Sequence, residues 1–472
     1  MPEIAEKMPR SYQKLESGDR GWADRNGFRE WRTLLQVGQV GRGTREPPAR
    51  EAGGFVRLAQ SSEAAADVSR PRSKRAIIRL MRQRPRSAEH GGDREVRIPN
   101  LKVETLAVHA GRRTDLATGA VTPAIHLSTT FERDPDGEYS RGFSYSREGN
   151  PNRQSLEECL AALEGGKEAL AFSSGLAVAT ALLQGLEPGD HIIAPEDVYY
   201  GLRQVVGGVF AKWPLETSYV DMTDLAAVSA AIRPNTRLVL METPSNPLMK
   251  IVDLTAIGRI AREVNAISVC DGTFTTPILQ RPLDCGIDMV WHSTTKYIGG
   301  HSDMTGGALI TRYDNYLFER ARKSLMFGGA APSPFDCWLA LRGVSTLPWR
   351  MRAHCGNALA VAEFLRRHHA VERVHYPGLP DHPGHEIASR QMSAWGGMLS
   401  FQVRGGREAA MKVVAGVRLF TRATSLGGPH SLIEHRASIE GRDTKTPKNL
   451  LRVSVGLENS DDLIADLREA LQ

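Results

Sequence analysis

Between residues 155 and 291, short apolar runs alternate with stretches of helical spacing, and this alternation limits the fold more than any other feature of the chain. Segment 155–164 (SLEECLAALE) sets Leu156, Leu160 and Leu163 on one helical face. Segment 169–172 (ALAF) reads as a short buried strand that meets Ser173-Ser174-Gly175, and an apolar helix follows over 176–186. The pattern then repeats: strand 191–194, helix 203–212, strand 237–242, helix 254–265, strand 266–271 and strand 287–291. Strands that alternate with helices form βαβ units and a mostly parallel sheet, and ligands of such sheets sit beyond the C-terminal strand ends. A helix-rich stretch, 334–368, follows, with a hinge expected at Pro348 and the basic run to His354. Strands 397–403 and 451–455 and a helix over 460–471 complete the chain. The expected fold class is α/β: a large domain with a mostly parallel sheet over 101–352 and a smaller C-terminal α+β domain over 353–472.

Residues 1–100 do not share this pattern. They hold 21 Lys and Arg against 13 Asp and Glu, whereas the remainder holds 39 against 41. The net charge of +6 therefore belongs to the tail, and nothing after it reads as a nucleic-acid surface. The tail is expected to be a disordered Arg-rich extension, or an upstream region that does not belong to the protein, with Met81 as an alternative start. The other reading is a tail that binds an acidic partner. Its one patterned stretch is the basic amphipathic segment Arg75–Arg82. No run approaches the roughly 18 apolar residues of a membrane span, and the N-terminus lacks the apolar core of a secretory signal. A cytoplasmic protein with no membrane partner is expected. The chain has five cysteines and no CxxC pair, so neither a disulfide framework nor a metal site is expected.

The polar motifs cluster at the predicted strand ends. Residues 289–307 (MVWHSTTKYIGGHSDMTGG) carry a strand into Ser293-Thr294-Thr295-Lys296 and then a glycine-rich segment. A lysine that attacks an aldehyde needs a desolvated strand end where its pKa falls. The same residue could equally be an ordinary loop lysine. Asp271 ends the buried strand of VCDGTFTTP, where a carboxylate is costly unless paired. It is either the partner of a cationic ring nitrogen or a helix N-cap. Ser173-Ser174-Gly175-Leu176 is either a phosphate cradle at a helix N-terminus or a tight turn. Tyr200-Gly201 could lay a phenol ring over a cofactor, or Tyr200 could simply be buried.

In their order and spacing these pieces resemble the Cys/Met-metabolism enzymes dependent on pyridoxal 5′-phosphate (PLP), the trans-sulfuration enzymes of fold type I. The resemblance runs from about 103 to 472. Val108-His109-Ala110-Gly111 and Thr122-Pro123 open it, and Tyr145-Ser146-Arg147 with Gly149-Asn150-Pro151 looks like the family's YSR…NP segment. It implies that Lys296 is the Schiff-base lysine, that Lys296 and Tyr200 are the catalytic residues, and that Tyr200 also stacks on the cofactor ring. It assigns Asp271 and Thr273 to the pyridine nitrogen, and Gly175, Leu176, Ser293 and Thr295 to the phosphate. Asn246, within Glu242-Thr243-Pro244-Ser245-Asn246-Pro247, would lie near the ring oxygen and the substrate. Tyr145 and Arg147 would reach the phosphate of a neighbouring subunit, which implies a homo-oligomer with shared sites, a dimer of dimers. Ser425-Leu426-Gly427-Gly428 and Arg452-Val453-Ser454-Val455-Gly456 match the C-terminal motifs, so Arg452 and Ser425 would bind the amino-acid substrate. A planar guanidinium suits an α-carboxylate because it binds it bidentately.

The chain departs from that pattern in three places. Gly272 stands where Asn is usual, Pro429-His430-Ser431 where x-Glu-Ser is usual, and His435-Arg436-Ala437-Ser438-Ile439 keeps only the outline of HPAS-Met. His430 is expected beside the substrate side chain. The implied reaction makes or breaks a carbon–sulfur bond of cystathionine or a related amino acid, with γ-synthase or γ-lyase chemistry favoured. Cystathionine β-lyase, methionine γ-lyase and homoserine-ester sulfhydrylase activities stay open. Outside that group, so do a PLP transaminase and a binding role through the tail.

Overall fold

The computed structural model describes residues 101–440 and 444–472. The tail, Arg75–Arg82 and Met81 lie outside the described residues. Seven strands make the larger sheet: β1 (Glu168–Phe172), β2 (His191–Pro195), β3 (Glu216–Val220), β4 (Thr236–Glu242), β5 (Ile267–Asp271), β6 (Met289–His292) and β7 (Gly307–Thr311), in the order β1-β7-β6-β5-β4-β2-β3. The pairs from β6 to β3 are parallel, whereas β7 runs antiparallel to both β6 and β1. Its central strands are buried on both faces, which is why they read as unbroken apolar runs. Helices Pro151–Glu164 and Pro334–Val344 belong to the core on one side, and Gly175–Gln184 and Tyr316–Gly328 to another.

The smaller sheet has the order β10-β11-β12-β9-β8, built from β8 (Val371–His375), β9 (Met398–Val403), β10 (Thr421–Arg422), β11 (Leu432–His435) and β12 (Leu450–Ser454). All its pairs are antiparallel except β10 with β11. Helices Leu347–Arg367, Gly406–Gly416 and Ser460–Ala470 supply its apolar cover.

The helical expectations hold to within a few residues, with two exceptions. The helix expected over 203–212 begins at Tyr200 and passes at Val205 into a wider π-type turn through Val209. Pro348 is no hinge: it lies in the first turn of Leu347–Arg367, where a missing N–H costs nothing. The break falls just before it, at Ser345–Thr346. The expected domain boundary at 352/353 falls inside this one helix.

Candidate active site

Parallel register brings the strand ends together. Glu242 of β4 lies opposite Asp271 of β5, and Asp271 lies opposite Trp291 of β6. Beyond these ends is a cavity of about 230 Å³ whose lining includes Asp271, Thr273, Ser293, Thr295, Lys296 and Arg452. Gly175, Leu176, Asn246 and Ser425 line the same cavity. Ten of the thirteen residues expected at the site thus converge on one space, drawn from both sheets.

Gly175 opens its helix behind the cap Ser174, whose Oγ accepts from Ala177 N at 3.1 Å. A Cβ at position 175 would stand 2.9 Å from Ser293 Cβ, so only glycine lets this helix end approach the turn after β6. The amides of Gly175 and Leu176 are among the donors that a first helical turn leaves unpaired. Ser293 N donates to Thr273 Oγ1 at 2.9 Å, tying the turns after β5 and β6 together. Thr295 Oγ1 accepts from Gly306 N at 3.0 Å.

Lys296 Nζ donates to Ser425 Oγ at 2.7 Å. Burial, then the positive charge of Arg452, lowers its pKa to about 8. Ser425 itself has φ +84°, a left-handed conformation that a residue with a Cβ adopts only under constraint. Its carbonyl accepts from Arg452 Nη2 at 3.1 Å, while Arg452 Nη1 donates to Asn246 Oδ1 at 3.1 Å. Burial brings the Arg452 pKa down to about 10.

The cofactor implied by the sequence carries an aldehyde, a cationic ring nitrogen and a phosphate, and the residues fit all three. Burial raises the Asp271 carboxyl, an effect opposed by the Thr273 hydroxyl and amide and then by His292; Thr273 N donates to it at 2.9 Å. Burial and the nearby Asp271 charge push Glu242 well above the usual range. Neither carboxyl has an ion-pair partner among the described residues, so a cation between the strand ends would relieve both. The Lys296 amine, whose pKa of about 8 leaves a neutral fraction near neutral pH, suits an aldehyde, and the Gly175 approach with the Ser293 and Thr295 hydroxyls suits a phosphate.

Three expected residues lie elsewhere. Tyr200 lines a neighbouring cavity, and Tyr199 lines the main one in its place. The two tyrosines straddle a helix start: Tyr199 is the non-helical residue before it and Tyr200 the first helical one, so their side chains leave the backbone in different directions. Tyr199 N also donates to Glu242 Oε2 at 3.0 Å. Tyr145 and Arg147 are partly exposed and line neither cavity; the Arg147 guanidinium lies 5.5 Å from the Tyr145 ring centre and donates to Met326 O. His430 is likewise exposed and outside the cavity lining. The Gly272 departure has a steric reason: a Cβ there would stand 2.9 Å from Cε1 of His292. That buried imidazole is held by Glu164 at 2.6 Å. Arg436, the third departure, lines the cavity, and reading motifs one at a time missed it.

A family model for the Cys/Met metabolism PLP-dependent enzymes matches residues 104–472. The chain is 50% identical over 373 residues to a cystathionine gamma-synthase of Mycobacterium tuberculosis, covering 78% of this chain and 96% of that one. It is 45% identical over 385 residues to a cystathionine gamma-lyase of Dictyostelium discoideum, covering 79% and 98%. It is also similar to the crystal structure of cystathionine gamma synthase from Xanthomonas oryzae pv. oryzae in complex with cystathionine, with a TM-score of 0.76, 43% identity, and coverage of 79% and 98%.

Proposed function

The chain belongs to the Cys/Met metabolism PLP-dependent enzymes, and from that premise we propose that it makes or breaks the γ carbon–sulfur bond of cystathionine or a closely related sulfur amino acid. One observation carries the reading: Lys296, Asp271 and Arg452 line a single cavity. In this reading Lys296 holds the cofactor, Asp271 and Thr273 face its ring nitrogen, and Tyr199 rather than Tyr200 covers its ring. Gly175, Leu176, Ser293 and Thr295 take the phosphate. Tyr145 and Arg147 act on a neighbouring subunit's site, in a dimer of dimers located in the cytoplasm. The division into a cofactor domain over 101–352 and a C-terminal domain over 353–472 belongs to the same proposal.

When bound, pyridoxal 5′-phosphate supplies the electron sink that makes the substrate's α-proton acidic. Arg452, with Asn246 and Ser425 around it, grips the α-carboxylate and so fixes which bond at the α-carbon faces Lys296. The Lys296 amine, partly neutral near neutral pH, takes the α-proton at Nζ. For γ chemistry Nζ would first hand that proton back to the cofactor–substrate adduct and, neutral again, take one from the β-carbon, so that the γ-substituent could leave.

Support for γ chemistry comes from the relatives named gamma-synthase and gamma-lyase. The test is product analysis of the holoenzyme with cystathionine, and with cysteine plus an acyl-homoserine. Cysteine and a four-carbon keto acid from the first, or cystathionine from the second, is the expected result. Pyruvate with homocysteine would assign β-elimination instead, and a keto acid retaining its sulfur would assign transamination.

A further inference from the structure

Arg436 is buried, yet it lines the same cavity as Lys296 and Arg452. It stands on the short turn that follows β11, and its guanidinium is shared between two carboxylates: Nη1 donates to Glu434 Oε1 at 3.0 Å and Nε to Glu440 Oε1 at 2.8 Å. Glu434 is also buried and lies directly opposite Arg452 in the β11–β12 register. Arg452 Nη2 reaches the same Glu434 Oε1, at 2.5 Å. One carboxylate oxygen thus serves two guanidinium groups, while Glu434 Oε2, equally buried, has no hydrogen-bond partner among the described residues. At the far end, Glu440 Oε2 accepts from the hydroxyls of Thr444 and Thr446 at 2.6 Å each. The result is an alternating chain, Arg452–Glu434–Arg436–Glu440, anchored away from the cavity at one end and exposed to it at the other.

This arrangement has a consequence for any ligand that brings a carboxylate to Arg452. Glu434 already holds that guanidinium, and two carboxylates on one buried cation repel each other. Glu434 can yield only if another cation takes it, because a buried unpaired carboxylate is costly. Arg436 is that cation, and the free Oε2 allows a two-pronged pairing with it.

We infer that Arg436 is a positioning residue for substrate recognition: it draws Glu434 off Arg452 and so leaves the Arg452 guanidinium open to the substrate's carboxylate. The inference rests on the reading of Arg452 as the carboxylate-binding residue.

The test compares two ligands with the same neutral side chain, L-norleucine and its decarboxylated counterpart n-pentylamine. Their equilibrium binding to the holoenzyme is read from the cofactor's absorbance. In Arg436→Ala, Glu434 clings to Arg452, so the preference for norleucine over pentylamine falls about tenfold, the scale of coupling between residues of one charge network. Pentylamine affinity itself stays within about twofold, as it never meets Arg452. Removing the competitor as well, in Glu434→Gln with Arg436→Ala, restores most of the preference, which a merely structural role would not do. Arg436→Gln keeps the side-chain length without its charge and carries the same expectation if the alanine variant fails to fold, as judged by its melting temperature. An unchanged preference in the Arg436 variants, with the preference lost in Arg452→Gln, overturns the inference alone. Retention of the preference in Arg452→Gln overturns the reading of Arg452 beneath it.

Discussion

At the scale of single residues, the site works by holding groups in states they would not choose in water. Lys296 is the clearest case, with its pKa brought to about 8 by burial and by Arg452. In the cofactor-free protein the folded state therefore binds this proton less tightly than the unfolded chain, whose lysine titrates near 10.5. The charged amine costs stability below about pH 8, and the cost fades as the pH rises toward 10.5. Lys296→Met should accordingly stabilise the cofactor-free protein at neutral pH by up to about 3 kcal/mol. Urea unfolding across that pH range should show the gap closing. The rate of cofactor uptake by the wild type should rise with pH, with its midpoint near 8 and its plateau about a pH unit above, since only the neutral amine attacks an aldehyde. Ser425 offers a second test. At an ordinary position glycine is less stable than alanine by roughly 0.5–1 kcal/mol. At φ +84° the order should reverse, with Ser425→Gly melting above Ser425→Ala. At this scale most of the cavity lining was legible in the sequence, because strand ends and glycine turns mark where side chains converge. Choosing between Tyr199 and Tyr200 was not, since periodicity does not fix where a helix begins to the residue.

Among the elements, the turn that carries Lys296 is held from outside the larger sheet. Arg350, buried on helix Leu347–Arg367, donates to the carbonyls of Tyr297 at 2.7 Å and Gly343 at 2.8 Å, with Ile298 at 3.4 Å. Burial alone lowers its pKa to about 10, and no carboxylate is paired with it among the described residues. It serves as a charged cap on the Lys296 turn, joining that turn to the end of helix Pro334–Val344. Gly343 allows the join, because a Cβ there would stand 2.2 Å from Gly299 O. Arg350→Met would leave the Tyr297 and Ile298 carbonyls without this donor, while Gly343 O keeps Thr346 N and Oγ1, at a cost of about 2–4 kcal/mol. Urea unfolding should show that loss, and equilibrium dialysis should show weaker cofactor retention. Arg350 could not have been read from the sequence, where it sits in what looked like a basic hinge. β3 and β7 escaped for other reasons. β3 is a half-exposed edge strand of polar composition, and β7 lies directly behind the glycine-rich run after Lys296.

At the scale of the whole molecule, the described residues form two unequal sheets and, before them, an arm over 111–150 with little regular structure. That arm exposes Leu116, Val121 and Leu127 by 69% or more, an apolar display that a second copy of the chain would cover. Tyr145 and Arg147 sit on the same arm, outside the cavity. If a neighbouring subunit uses Arg147, Arg147→Ala should weaken cofactor retention by about 1.5–3 kcal/mol, the worth of a charged phosphate contact. Dialysis of the purified holoenzyme measures this. Sedimentation should find the wild type larger than a monomer, and an active monomer would refute the shared site. The shared site is an expectation from resemblance alone, since spacing within one chain says nothing about which surface another chain covers. The β1–β7 pairing has a further consequence, in the order in which the protein comes into being. Among the described residues β1 comes first and pairs with β7 alone, joining Glu168 to Thr311, so a chain emerging from the ribosome must wait some 140 residues before this strand finds that neighbour. Arg452 arrives later still, within the last strand. A nascent chain thus has every group expected to hold the cofactor well before it has the guanidinium expected to grip the substrate's carboxylate, on a strand that joins β9 to β11.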